Sequence, residues 1–217
     1  MIYQNELIRQ MHWLETRSRF EQDSAVSKEL MDVIEDPFLE PNQFNAKAFD
    51  KFELNEIFQY LKQSHVIYLN HTLPKIGNTV HQLYAKFGGE FKALIGFLLY
   101  LDAHRVSLIK HIMHEEQVLF LFVENLLKGN YSEQHKNFVL THFLHTHNNE
   151  IILQLDHLKA QLTAIHNELQ FELSFQILFD QLANFQHDLE VHGLIEDQVF
   201  IDKILSFIQV NFNEHGA

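Results

Sequence analysis

The chain has 217 residues, of which 46% are apolar and 21% charged, so it is long enough and apolar enough for one globular domain with a small appendage. It contains no cysteine, which excludes a disulfide scaffold, a thiol nucleophile and any cysteine-ligated metal or iron–sulfur site. The formal charge of −13 argues against nucleic acids and anionic membranes as partners, because both require a basic surface.

Residues that form turns are scarce, with seven glycines and three prolines in the whole chain. This composition disfavours a multi-stranded sheet and predicts a few long helices. No apolar run reaches the roughly 20 residues that span a bilayer. The first residues, MIYQNELIRQ, lack the pattern of a secretory signal, so the expected location is the cytoplasm.

Residues 1–50 differ from the rest of the chain because they hold two of the three prolines and the only tryptophan. We predict two short helices here, near residues 3–18 and 24–35, followed by a linker. These residues are expected to form an N-terminal helical extension, and residues 51–217 a separate domain.

That domain shows helical periodicity almost throughout. Four long helices are expected at about 53–84 (A), 90–127 (B), 132–166 (C) and 172–211 (D). Pro74 and Gly77 predict a kink in helix A, and Gly129 marks the end of helix B. Short connections between long helices predict an all-α, up-down-up-down four-helix bundle.

Polar side chains interrupt the apolar stripes that should face the bundle core. They are His65 on helix A, His111 and Glu115 on helix B, His147 on helix C, and His192 and Glu196 on helix D. Residues i and i+4 lie on the same face of a helix, so each His-x-x-x-Glu pair can present one imidazole and one carboxylate to a single point. A buried carboxylate costs several kcal/mol, and no lysine or arginine falls on these stripes.

A bound cation would remove this cost. Nitrogen and oxygen donors without sulfur suit iron, manganese or zinc. Two carboxylates with about five imidazoles are more than a single zinc ion needs, and they suit two iron ions bridged by carboxylates.

Four stretches resemble the hemerythrin-like (HHE) domain. These are HIMHEEQVLF (111–120), HGLIEDQVF (192–200), HNNE (147–150) and, more weakly, YLKQSHVIYLNHTLP (60–74). The resemblance covers about residues 52–210 and is closest to the di-iron proteins that repair iron–sulfur clusters, the RIC family. The small cysteine-containing domain that often precedes the bundle in that family has no counterpart in residues 1–50.

The resemblance implies a hemerythrin-like bundle that holds two iron ions in an oxo- and carboxylate-bridged centre. Glu115 and Glu196 would bridge the ions, and five histidines would be terminal ligands. These histidines are His65, His81, His111, His147 and His192. His81 is chosen because the family has a ligand histidine after a valine near the end of helix A, but a gap-free match places Phe87 there, and Tyr84 or water are alternatives.

The function implied is protection or repair of iron–sulfur clusters under oxidative or nitrosative stress, by supply of iron to damaged iron–sulfur proteins. An open coordination position would bind dioxygen, nitric oxide or peroxide. One alternative is a hemerythrin-like protein that stores or senses a gas, with residues 1–50 as a docking element. Another is a metal-free structural bundle. A homodimer is compatible with each of them.

Neighbouring polar residues receive less specific interpretations. His104 is expected to support the site or to pack in the core, and Tyr68 to pack in the core. Glu116 and Asp197 follow the two ligand glutamates, so they should point about 100° away, near the surface.

Overall fold

The computed structural model describes residues 2–22, 26–40, 43–87, 92–130 and 173–212, together with the single positions 137, 157 and 160. Within these ranges the chain is helical and contains no strand. The predicted all-α class is confirmed, and the described elements are compatible with a helical bundle. None of the described helices is long and apolar enough to cross a membrane.

Eight α-helices and three π-helical turns make up the described elements, apart from a 3₁₀ turn at Ala46–Phe49. The α-helices are α1 (Ile2–Gln22), α2 (Lys28–Leu39), α3 (Leu54–Ile67), α4 (Leu73–Phe87), α5 (Lys92–Glu115), α6 (Leu121–Leu127), α7 (Leu173–Ile195) and α8 (Ile201–Phe212). The π turns are π1 (Tyr68–Thr72), π2 (Glu116–Phe120) and π3 (Glu196–Phe200).

The π turns join α-helices without a break, so the predicted helix A corresponds to α3, π1 and α4. Helix B corresponds to α5, π2 and α6, and helix D to α7, π3 and α8. The expected helix C, at 132–166, and the connection after it lie almost entirely outside the described residues.

Helix B ends where the sequence predicts. Gly129 has φ +78°, a conformation that only glycine adopts at little cost. The amide of Gly129 donates to the carbonyl of Leu126, and the amide of Asn130 donates to that of Asn125. These two bonds form a Schellman motif, which satisfies the last carbonyls of the helix.

The chain divides into two compact units. Among the described residues, the first unit holds those up to His65, those from Glu116 to Asn130 and those from Glu190 onward. The second unit holds Val66 to Glu115 and Leu173 to Leu189.

The first unit has an aromatic core. Phe58 lies parallel to Phe200 at 6.1 Å between ring centroids and edge-on to Phe120 at 5.3 Å. Such edge-to-face and offset pairs add to the stability gained from burial alone. All three rings are at most 2% exposed, so this part of the core is closely packed.

The N-terminal helices pack within the first unit. Trp13 of α1 contacts Phe38 of α2 at 4.6 Å between centroids, and Phe20 stacks on Tyr60 of α3 at 5.1 Å. Arg17 joins α1 to α2 through Asp32 and Glu35, and its hydrogen bonds to Asp32 and Glu21 raise the pKa of its guanidinium. Residues 2–22 and 28–39 are therefore helical, as predicted, and they end later than predicted.

The second unit has a largely aliphatic core. Its fully buried members include Leu83 of α4, Leu108 of α5 and Leu178 of α7. Tyr68 lies edge-on to Phe185 at 5.5 Å, and its hydroxyl donates to the backbone carbonyl of Asp188 at 3.1 Å. Tyr68 is thus a core residue with a satisfied hydroxyl, as expected from the sequence.

Candidate metal centre

Three buried side chains form a group able to hold a metal ion: His65 of α3, Glu115 at the end of α5 and His192 of α7. Each offers one ligand atom, and these atoms all lie within 4.8 Å of one another. The side chains are exposed by only 1%, 2% and 6%. Three of the side chains predicted to be ligands are therefore close together.

Glu196, a further predicted ligand, lies next to this group as the first residue of π3. It is 1% exposed, and its Oε2 is 3.6 Å from Nε2 of His192. The imidazole and the carboxylate are one helical turn apart on the same face, which is the arrangement that their spacing predicts.

His111 and Glu115 form the corresponding pair on α5. Nε2 of His111 is 2.7 Å from Oε1 of Glu115, within the distance of an ion pair. His111 retains 32% of its side-chain exposure, whereas Glu115 is buried. The imidazole therefore lies between the buried carboxylate and the surface.

His65 is held on more than one side. Its ring stacks on Phe120 at 5.0 Å and lies 5.1 Å from the ring of His192. Its Nδ1 lies 3.4 Å from Oε1 of Glu116, the first residue of π2. Packing against an aromatic ring restricts how far the imidazole can rotate, which keeps its position defined.

The contact from Glu116 to His65 was not predicted. Glu116 is 41% exposed, in agreement with a position near the surface, but its carboxylate still reaches the buried imidazole. A regular α-helix would place consecutive residues 100° apart. Helical periodicity gives the direction in which a side chain leaves its helix, but it does not show how far a long side chain reaches toward a neighbouring helix.

Two predicted ligands are not part of the described group. His147 lies outside the described residues. His81 is exposed on α4, sixteen residues after His65, a separation of about 24 Å along an ideal helix. Tyr84, one alternative to His81, is also exposed, at 47%.

Two further buried titratable residues lie elsewhere on the described helices. His104 of α5 is 4% exposed and Asp188 of α7 is 5% exposed, both within the second unit. His104 fits the expectation of a core position, whereas Asp188 was not singled out. Its spacing of four residues before His192 was the available signal, because it extends the polar face of α7 by one turn.

The π turns are the feature that the sequence analysis missed most completely. In π1 the amide of Leu73 donates to the carbonyl of Tyr68, five residues earlier, and in π3 the amide of Ile201 donates to Glu196. Each of the three turns begins within four residues after a member of the buried group. π turns occur frequently at functional sites.

The donor set fits a metal ion. Imidazole nitrogen and carboxylate oxygen suit iron, manganese and zinc, and ligands at about 2.1 Å from one ion lie at most about 4.2 Å apart. The group within 4.8 Å needs only a small contraction to reach that spacing. Burial of the two carboxylates, Glu115 and Glu196, is costly unless positive charge compensates it.

No family model, no curated protein and no solved structure matches this chain. Among the described residues, the fold and the buried group define a class: an all-α helical protein with a histidine and glutamate group able to hold a metal ion.

Proposed function

We propose that this protein is a hemerythrin-like non-haem iron protein that binds two iron ions in its buried histidine and glutamate group. The observation that supports this most directly is the convergence of His65, Glu115 and His192 within 4.8 Å, with Glu196 adjacent to His192. The resemblance of residues 52–210 to the cluster-repair family supplies the choice of iron and the number of ions.

Energetics supports a cation at this position. Glu115 and Glu196 are at most 2% exposed, and the partners shown for them are the imidazoles of His111 and His192. Two ionised carboxylates in a protein interior cost several kcal/mol each without a compensating charge. Divalent ions would supply that charge and would employ the imidazoles as neutral ligands.

The residues of the group would have different roles as ligands. Glu115 and Glu196 would bridge the ions, and His65, His111 and His192 would be terminal ligands, with His147 as a further one. Glu116 would accept a hydrogen bond from Nδ1 of His65, which leaves Nε2 for the metal. The bound ions would supply redox capacity and an open position for small diatomic molecules.

Metal analysis of the full chain, expressed in iron-containing medium, tests the centre. We expect about two iron ions per chain, as in carboxylate-bridged centres. Glu196→Ala and His192→Ala should each lose most of the iron, because both remove a buried donor. His114→Ala is the matched control, since His114 is exposed on α5 next to Glu115 and should leave the iron content unchanged.

Circular dichroism shows whether each variant still folds, so that a loss of iron in a folded variant can be assigned to the missing ligand. A wild-type chain that folds and contains no stoichiometric metal would refute the centre and favour the metal-free structural bundle. His81→Ala tests whether His81 is a ligand, because the iron content should fall only if the removed side chain binds the metal.

We further propose that the centre serves the repair or protection of iron–sulfur clusters, with iron supplied to the damaged protein. Incubation of the iron-loaded protein with an enzyme whose cluster has been damaged by nitric oxide or peroxide should restore that enzyme's activity. Glu196→Ala should fail to restore it. Reversible dioxygen binding without such restoration would instead indicate the gas-binding alternative.

A further inference from the structure

A cavity of about 730 Å³ lies within the second unit. Helices α4 and α5 form its walls, and Leu182 and Phe185 of α7 also line it. Its volume falls within the range of about 300–1,000 Å³ that is typical of small-molecule sites. His65, Glu115, His192 and Glu196 are not among its lining residues, whereas His81 is.

The lining is mainly aliphatic. Its buried apolar members are Leu73, Ile76, Leu101, Leu182 and Phe185. Among the described lining residues, His104 alone is both polar and buried, with 4% exposure. The interior therefore suits an apolar molecule and offers one imidazole for a hydrogen bond.

Charge at the rim is balanced. Arg105 donates two hydrogen bonds to the same carboxylate oxygen of Asp102, at 2.9 and 3.2 Å, and both residues line the cavity. An anionic ligand would compete with Asp102 for this guanidinium and would also approach a chain with a formal charge of −13. A cationic ligand would have to displace Arg105 from Asp102. The rim thus disfavours charge of either sign.

We propose that this cavity binds an uncharged, mainly aliphatic small molecule with one hydrogen-bonding group, which is received by His104. Burial of the ligand's aliphatic chain against the apolar walls of the cavity provides the affinity. The single buried imidazole fixes the orientation of the ligand. The case for this site does not use His65, Glu115, His192 or Glu196, so either site can fail without affecting the case for the other.

Gly77 offers a way to fill the cavity. It lies on α4 among the lining residues, and a Cβ atom added there would meet nothing within 4 Å. Gly77→Leu should therefore be accepted by the fold, which also gains helix propensity. Gly96→Leu is the matched control, because Gly96 lies on α5 outside the cavity lining and its added Cβ is equally unobstructed.

Displacement of a neutral fluorescent probe, N-phenyl-1-naphthylamine, from the full chain tests the proposal. Decan-1-ol should displace the probe more strongly than decanoate or decyltrimethylammonium, which have chains of the same length. Gly77→Leu should weaken decan-1-ol binding about tenfold, the effect of displacing two methylene groups. Gly96→Leu should leave it within about twofold.

His104→Leu tests the hydrogen bond. It should reduce the preference for decan-1-ol over decane about fivefold, the size expected for one hydrogen bond to a neutral group. Val80→Phe, from a half-buried lining position, provides a second way to fill the cavity if Gly77→Leu misfolds. Absence of saturable probe binding, equal binding by Gly77→Leu and Gly96→Leu, or tighter binding of either charged ligand would overturn the proposal.

Discussion

The two units fill their interiors in different ways. Near His65, the first unit packs the rings of Phe58, Phe120 and Phe200 against one another and leaves them at most 2% exposed. The second unit has a mainly aliphatic core that leaves a cavity of about 730 Å³. Flat rings in fixed contact can hold an imidazole in one orientation, whereas flexible aliphatic chains leave space that an apolar molecule can occupy.

The two kinds of packing therefore suit different tasks, fixed placement of a side chain in the first unit and accommodation of a ligand in the second. A metal centre needs donors held within fractions of an ångström, and the ring of Phe120 stacked on His65 helps to provide this. An aliphatic ligand needs volume and apolar surface more than exact placement. The experiments below measure whether this difference in packing has the energetic consequences expected of it.

The largest expected effect is that of metal removal, which should act through the donors His65, Glu115 and His192. At a free metal concentration about 1,000-fold above the dissociation constant, metal binding stabilises the folded state by about 4 kcal/mol per site. Chelation should therefore lower the thermal midpoint markedly. Calorimetry of the loaded and chelated chains measures this, and equal midpoints would contradict a structural contribution of the metal.

The next effect compares two leucines of equal burial in the two units. Leu61 of α3 is fully buried in the first unit, and Leu182 is 1% exposed but lines the cavity of the second. Leu61→Ala should cost about 4–5 kcal/mol, because it leaves a new void in close packing. Leu182→Ala should cost about 3 kcal/mol, because part of its surface has no packed neighbour to lose.

Urea denaturation of both chelated variants provides these values without a contribution from metal binding. A cost for Leu182→Ala equal to or greater than that for Leu61→Ala would show that the second unit is packed as closely as the first. The side chains around the cavity would then pack into it in solution.

The smallest effect concerns two carboxylates whose pKa values shift in opposite directions. Lys62 donates a hydrogen bond to Glu124 in the first unit and lowers the pKa of its carboxyl group. Partial burial raises the pKa of Asp180 in the second unit. The Glu124 pair therefore adds stability above the unfolded pKa of 4.5 and loses it as the pH falls through the folded value.

Asp180 has the opposite dependence, because its folded form binds the proton more tightly than its unfolded form. It lowers stability once the pH rises above its folded pKa, and this penalty disappears below its unfolded value of 3.8. At pH 7, Glu124→Gln should destabilise and Asp180→Asn stabilise the chain, each by less than about 0.5 kcal/mol, since both groups are partly solvated. Denaturation at pH 7 and pH 3 should show both differences shrink at the lower pH.

The sequence predicted most of the helical architecture because apolar periodicity and turn residues determine it locally. The end of helix B at Gly129 followed from its C-terminal signal, and the positions of α7 and α8 followed from the apolar stripe of helix D. α1 was predicted too short and α2 about four residues too early, because contacts such as Trp13–Phe38 help to determine where both helices lie. Such contacts are tertiary and leave little trace in local propensity.

The buried group was also predictable in part. A spacing of four residues brings His111 to Glu115, and His192 to Glu196, in any regular helix. The approach of Glu116 to His65 joins two different helices, so the periodicity of either helix alone does not indicate it. The π turns add a residue that α-helical periodicity does not include. Runs of adjacent apolar residues after the glutamates, Leu119 to Val123 and Val199 to Ile201, were the available signal of a widened turn.

The π turns have a consequence for the register of the chain. A π turn accommodates one residue more than the α-helix around it, so everything downstream is rotated by about 100° relative to an uninterrupted helix. Removal of a single residue from Tyr68–Thr72, Glu116–Phe120 or Glu196–Phe200 would therefore convert the turn into α-helix and leave the side chains that follow on their present faces, whereas the same deletion in an α-helical stretch would turn the rest of the helix by about 100°. Any superposition of this chain on a straight-helix bundle accordingly requires a one-residue gap at each of these three places.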